Sequence, residues 1–300
     1  MLSDRYALGI DIGGTNVRFG LVTEEGRLIA YEKHPSSVVS GRNAVEKLYT
    51  EIVSYIYRNK AAGVRAVCIG FPATVDKTRT RVLNAPNLLG FDGVPVGTLL
   101  SEKLKMPVYI EKDVNLLIGA DLFELSCRAE NVVACYVGTG IGNAVMVDGK
   151  LITGANGVAG ELGHIPFGGT EAVCGCGNAG CAETVCGGAY LAKLRDEWFP
   201  ETEISGLFTC HSGHAKINAY LERLARVIAA EVNIIDPEVL LLGGGVIEMT
   251  DFPKKDLEAR ILSHVRKPLP HDGLKIIYSP AGNGTNGVIG AGIYAWRKIK

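Results

Sequence analysis

The chain has 300 residues, 47% of them hydrophobic and 21% charged, with a formal net charge of −1. This is the composition of an ordinary globule with a substantial core, long enough for two domains, and its balanced charge gives no field favouring nucleic acid or an anionic membrane. No apolar run approaches the ~20 residues of a membrane span, and cysteines without a charged–apolar–small leader read as reduced thiols, so a cytoplasmic location is expected.

Tyr6 to Ile12 reads as a short apolar strand interrupted by Asp11, and Gly13-Gly14-Thr15-Asn16 turns it into a second strand, Val17 to Val22. A Glu-Glu-Gly turn leads into Arg27-Leu-Ile29. Apolar residues at helical spacing predict a helix over 43–60, followed by a buried strand from Val64 to Ile69 that Gly70-Phe71-Pro72 breaks. After Asn84-Ala-Pro86-Asn87-Leu88 come a helix over 96–105, a strand from Pro107 to Glu111, and a helix from about residue 115. The opening pattern then returns. Val132 to Val137 is a strand, Gly138-Thr139-Gly140-Ile141-Gly142 a turn, Asn143 to Val147 the return strand, and Asp148-Gly149 leads to Lys150-Leu-Ile152. This internal repeat predicts two related α/β domains with a cleft between them. An amphipathic helix over 217–235, a buried strand from Val239 to Leu242, the turn Gly243-Gly244-Gly245, a strand from Lys275 to Tyr278 and a closing helix from Gly287 to about Lys298 complete the chain.

The stretch Gly160-Glu161-Leu-Gly-His164 is followed by Cys174-Gly-Cys176-Gly-Asn-Ala-Gly-Cys181-Ala-Glu183. One imidazole and three thiolates among glycines and small residues make a closed Cys3His set, which suits a structural Zn2+. Buried unmetallated thiols are the bland alternative. Glu161 and Glu183 bracket the loop, and metal ligation would fix both as acceptors for hydroxyl groups. A sugar or polyol is the expected ligand.

Asp11-Ile-Gly13-Gly14-Thr15 offers close-approaching backbone N–H groups and a hydroxyl for phosphate, with a strand-end aspartate suited to Mg2+ through water. One Gly-Gly turn is more often a plain hairpin. The second at Gly138–Gly142 suggests a triphosphate gripped from both sides, and the Gly243–Gly245 turn offers bare backbone to adenine or ribose. No Gly-Lys-Ser/Thr of a Walker loop is present. Asp113, between a strand and a helix, is either a helix N-cap or a general base for a hydroxyl attacking a γ-phosphoryl group.

Nearly end to end, the motifs DIGGTNVRFG, NAPNL, KDVN, GTGIGNAV, GVAGELGH, CGCGNAGCAE and DPEVLLLGGGV resemble the ROK family of repressors and kinases. The resemblance implies two RNase H-like domains of the actin/hexokinase type, the first formed by 1–116 plus 286–300 and the second by 117–285 with the zinc loop. It implies ATP at Asp11, Gly13, Gly14, Thr15, Gly138, Thr139 and Gly140, to which the glycine-turn reading adds Gly244 and Gly245. Zinc would lie on His164, Cys174, Cys176 and Cys181, and sugar on Asn87, Glu161, His164 and Glu183, with Asp113 as base; Lys112, beside that base, is expected on its own account to help choose the sugar. Two departures stand out. Lys112-Asp113 replaces the family's usual Asn-Asp pair, and Gly70-Phe-Pro-Ala73 replaces Gly-x-Pro-Gly. Together with GFPATV, KDVNL and RKPLPH they look most like D-allose kinases. The expected activity is ATP-dependent phosphorylation of a hexose at its 6-hydroxyl, most of all allose; the alternatives are a kinase for another hexose, of glucose, mannose or N-acetylmannosamine type, or a non-catalytic sugar-sensing regulator. A homodimer is expected. The family's regulators carry a DNA-binding helix-turn-helix before the first strand, where only Met1–Arg5 stand here, so neither nucleic acid nor membrane is an expected partner.

Overall fold

A computed structural model describes residues 5–86, 88–280 and 284–300. Contacts divide the chain into two compact units. The first holds the described residues of 1–127, 153–159 and 282–300, and the second those of 128–152 and 160–281. Each unit is built on a five-stranded mixed sheet of the same design.

In the first unit β1 (Tyr6–Ile12), β2 (Asn16–Val22) and β3 (Leu28–Pro35) form an antiparallel meander. α1 (Ala44–Arg58) carries the chain to β4 (Val64–Phe71), parallel to β1. A small hairpin, β5 (Thr74–Val75) with β6 (Val82–Asn84), precedes α2 (Val96–Leu104). β7 (Val108–Lys112) then adds in parallel to β4, and α3 (Asp113–Glu124) follows it directly. The sheet order is β3-β2-β1-β4-β7.

Alternation along β1 sorts its side chains between two cores, as the pleat requires. Leu8, Ile10 and Ile12 pack with Leu48, Ile52 and Tyr55 of α1, whose buried residues recur at helical spacing. Each fully buried apolar side chain of this kind contributes about 1.5–3 kcal/mol. Ala7 faces the opposite core with Cys68, Leu116, Ala291 and Trp296. On that face α9 (Asn286–Ile299) lies very close to the sheet, and only glycine fits at Gly9 and Gly292, where an added Cβ would strike Val288 and Val22. The closing helix therefore belongs to the first unit.

The second unit repeats the plan with β8 (Val132–Val137), β9 (Ile141–Val147) and β10 (Lys150–Leu151) as the meander. α4 (Glu183–Cys186), α5 (Gly188–Trp198), α6 (Leu207–Cys210) and the long α7 (Ala215–Ile235) lead to β11 (Val239–Gly243). α8 (Lys254–His264) and β12 (Lys275–Tyr278) complete the order β10-β9-β8-β11-β12.

The sequence reading needs correction at several places. β3 runs eight residues, to Pro35, where only Arg27–Ile29 is apparent from the pattern. Its half-buried residues lack clean alternation, but pairing with β2 supplies the ladder. β4 continues through Gly70 and Phe71, because both pair with β7, and stops at Pro72. α3 begins at Asp113, two residues before the expected start, and belongs whole to the first unit through Leu116 and its contact with α9. The boundary expected at 116/117 would cut through this helix. α5 and α8 have no clear signal in the pattern: both are short, amphipathic only weakly, and set by packing.

Candidate functional site

In the first unit the parallel strands β1, β4 and β7 end together, with Asp11, Gly70 and Glu111 side by side in register. The carboxyl ends of such strands are where open α/β sheets place ligands. An added Cβ at Gly70 would sit 2.9 Å from Leu116, so its lack of a side chain lets the start of α3 close onto the sheet. That brings Asp113 to the same edge as Asp11.

Asp113 is the first residue of α3, while Lys112 occupies the N-cap position without a side-chain capping bond. The aspartate is thus not the cap. Its Oδ1 accepts from the Val114 N–H at 2.8 Å. Burial, and secondly the negative charge of Asp11, push its carboxyl up to about 7. Burial also raises Asp11, against the opposing pull of Arg18, whose Nη1 donates to Asp11 Oδ2 at 2.9 Å. The adjoining glycine turn is tight: Gly13 N–H donates to the Asn16 carbonyl at 2.8 Å. Gly14 and Thr15 are exposed at its tip. Ser36, buried, braces the turn from below, its backbone N–H on the Thr15 carbonyl and its hydroxyl on the Gly13 carbonyl.

Lys112 is buried, and its Nζ donates to the carbonyl of Ala159 at 3.4 Å. Beside it, Glu111 is fully buried in a network of its own. Its Oε2 lies 3.0 Å from Arg79 Nε, and its Oε1 accepts from Asn115 Nδ2 and the Lys112 N–H, both at 2.9 Å. Arg79 also donates to the Gly157 carbonyl at 3.0 Å. Arg18, Ser36, Arg79 and Glu111 escape a reading of the sequence. Only Arg18 has a legible signal, since a hairpin centred on Gly14-Thr15 must place it opposite Asp11. Asn87 lies outside the described residues.

In the second unit the two remaining glycine turns are neighbours at the ends of β8 and β11. Gly244, at φ +90°, packs so closely that an added Cβ would lie 2.7 Å from the backbone of Val137. Gly245 has open space around it. The start of α5 docks on the other turn, with Gly188 and Ala189 N–H donating to the Gly138 and Thr139 carbonyls, each at 2.8 Å. Among these residues Gly140 abuts the Glu183 carboxylate, which also accepts from the Ile141 N–H at 3.4 Å.

The loop after β10 brings His164, Cys174, Cys176 and Cys181 together, one ligand atom from each lying within 4.8 Å of all the others. His164 Nδ1 is 3.5 Å from Cys174 Sγ, and the sulfurs of Cys176 and Cys181 are 3.6 Å apart. Tetrahedral ligation with bonds of about 2.0–2.3 Å requires neighbouring ligand atoms roughly 3.5–3.8 Å apart, which these two pairs match, and the donor set is one that suits Zn2+. The Cys174–Gly177 turn and positive φ at Gly177 and Gly180 let the chain double back in so few residues. Two carboxylates flank the imidazole, with Glu161 Oε2 3.7 Å from Nε2 and Glu183 Oε1 3.8 Å from Nδ1. Expected sugar residues Glu161, His164 and Glu183 are therefore gathered around one ring.

No described helix is long and apolar enough to cross a membrane. The sequence model of the ROK family matches residues 7–298. The chain is 27% identical over 320 aligned positions to a glucokinase of Halalkalibacterium halodurans, covering 97% of this chain and 95% of that one. It is 30% identical over 276 positions to an N-acetyl-D-glucosamine kinase of Photobacterium profundum, covering 86% and 89%. A ROK hexokinase structure from Thermus thermophilus superposes with a TM-score of 0.80 at 25% identity, covering 98% of this chain and 99% of that one. The paired five-stranded sheets are thus those of the actin/hexokinase-type fold, and the chain belongs to the ROK family.

Proposed function

We propose that this protein is an ATP-dependent hexose kinase acting on the 6-hydroxyl, with D-allose as the preferred sugar. The observation that carries the reading is Asp113. A carboxyl held near neutrality is half-ionised at the pH where it works, which is what a general base for a sugar hydroxyl needs. Relatives aligned over most of both chains, a glucokinase and an N-acetyl-D-glucosamine kinase, support the reaction class. The preference for allose rests on Lys112-Asp113, Gly70-Phe-Pro-Ala73 and the 266–271 stretch.

In this reading Asp113 accepts the 6-hydroxyl proton as that oxygen bonds to the γ-phosphorus and the bond to the ADP oxygen breaks. Gly14 and Thr15 present N–H groups and a hydroxyl to the phosphates, as do Thr139 and Gly140, while Gly13 and Gly138 close the two turns with their own N–H groups and leave bare backbone beside the phosphates. Gly244 and Gly245 receive the nucleoside against bare backbone. Asp11 would hold Mg2+, which supplies neutralisation of the phosphate charge. Asn87, Lys112, Glu161, His164 and Glu183 recognise the sugar hydroxyls. His164 and the three cysteines would hold a structural Zn2+, whose closed ligand set keeps the Glu161 and Glu183 carboxylates in place and leaves no position for substrate.

A panel of hexoses with ATP and Mg2+, scored by ADP release, tests the reading. Hexose-dependent turnover, fastest with allose, is expected. Sugar binding without any turnover would instead identify a sugar-responsive regulator, the other activity known by name in this family.

A further inference from the structure

Asp11 and Arg18 face each other across the β1–β2 hairpin. The guanidinium Nη1 holds Oδ2 of the carboxylate at 2.9 Å. From the other side Gly287 of α9 packs closely against the carboxyl group: an added Cβ there would lie 2.6 Å from Asp11 Cγ and 2.8 Å from Oδ2. Arg18 is itself closed in, since a Cβ at Gly284 would lie 3.2 Å from its Nε, which is buried without a hydrogen-bond partner. The carboxylate is thus clamped on Oδ2, while Oδ1 has no hydrogen-bond partner among the described residues.

The fold does not need this ion pair. In the second unit the hairpin of the same design pairs Tyr136 with Gly142 at the corresponding rung, and its sheet has the same order. Nor is stability a sufficient reason. An exposed pair contributes little, and a mostly buried one such as this does no better than apolar packing. What the pair does achieve is orientation. A lone aspartate at a strand end can swing its carboxylate plane freely, whereas here Arg18 holds one oxygen and leaves the other for a ligand.

We propose that Arg18 is a positioning residue for Asp11: it fixes the carboxylate so that Oδ1 alone is presented to the hydrated divalent cation of the nucleotide. This rests on the kinase reading, because only a metal–nucleotide complex gives that oxygen a partner. Arg18 itself does not touch the reacting atoms. Its guanidinium makes one charge-assisted hydrogen bond, from Nη1 to Oδ2, in a planar group of fixed shape that an ammonium matches only in charge.

The test uses the full chain with Mn2+ as the metal probe and a non-hydrolysable ATP analogue, and it follows bound Mn2+ by electron paramagnetic resonance. Loss of a residue that orients a metal-holding side chain costs about 10–100-fold in metal affinity. Arg18→Met should therefore weaken Mn2+ in the nucleotide complex about tenfold or more, and Arg18→Lys should recover part of that loss. The Mg2+ concentration for half-maximal ADP release should rise by the same factor, with the sugar KM unchanged within about twofold. Circular dichroism and melting temperature establish that each variant is folded. A folded Arg18→Met variant with wild-type Mn2+ affinity overturns the inference and leaves the kinase reading intact. Wild-type protein that binds neither the Mn2+–nucleotide complex nor turns over any hexose overturns both. Should Arg18→Met unfold, Arg18→Gln carries the same comparison, and wild-type affinity in a folded Arg18→Gln variant overturns the inference.

Discussion

Replacing Asp113 by asparagine should remove nearly all turnover and yet make the protein more stable. The carboxyl is moved from 3.8 to about 7, first by burial and then by Asp11. Displacing it that far costs the ionised form at most about 4 kcal/mol, and the remaining solvent contact of this half-buried residue lowers that figure. The sign follows from proton counting. The folded state holds its proton more tightly than the unfolded chain, so this group's contribution to stability falls as pH rises from about 4 to about 7 and is constant above. The amide of the variant cannot ionise, so the variant's advantage should be absent near pH 4 and full above pH 7. Catalysis runs the other way: the base works ionised, so wild-type kcat/KM should rise with pH through about 7 and then level. General-base assistance is worth about 10²–10⁴-fold, the loss expected in Asp113→Asn, with sugar affinity kept within a few-fold. Coupled ADP assays at pH 5.5–8.5 and melting curves over the same range measure both limbs. A variant that turns over at near wild-type rate, or a wild-type profile flat between pH 6 and 8, would refute the argument.

Two further outcomes are expected. Metal analysis of protein purified without chelator should find one zinc per chain, and its removal should loosen residues 160–183 and raise the sugar KM, with little effect on ATP binding; protein free of zinc would leave the four ligands as a thiol cluster. Lys112→Asn should shift the kcat/KM ratio of allose to glucose about tenfold towards glucose, the size of one mismatched buried hydroxyl of about 1–3 kcal/mol. An unchanged ratio would confine Lys112 to its tether on the Ala159 carbonyl.

Much of the architecture is legible because its signals are local. The repeat of strand, glycine turn and strand at Tyr6 and at Val132 foretells two sheets of one design, and both have the same strand order. The Cys3His spacing foretells a cluster, since chain connectivity alone keeps residues 164–181 near each other. Hydrophobic period marks α1 and α7, whose buried faces drive their formation. Other features belong to no local window. That α3 starts at Asp113 depends on Gly70, distant in sequence and adjacent in the sheet, being too small to keep the helix away. The near-neutral Asp113 follows from desolvation and the charge of Asp11, neither of which is written in the residues around it. Lys112 reads from the sequence as a specificity residue, and nothing in its neighbourhood in the chain tells that its ammonium reaches the Ala159 carbonyl in the 153–159 segment. Composition and period specify which faces are buried; distances between charges, and therefore chemistry, are decided only when the packed sheet brings separate strands to one edge.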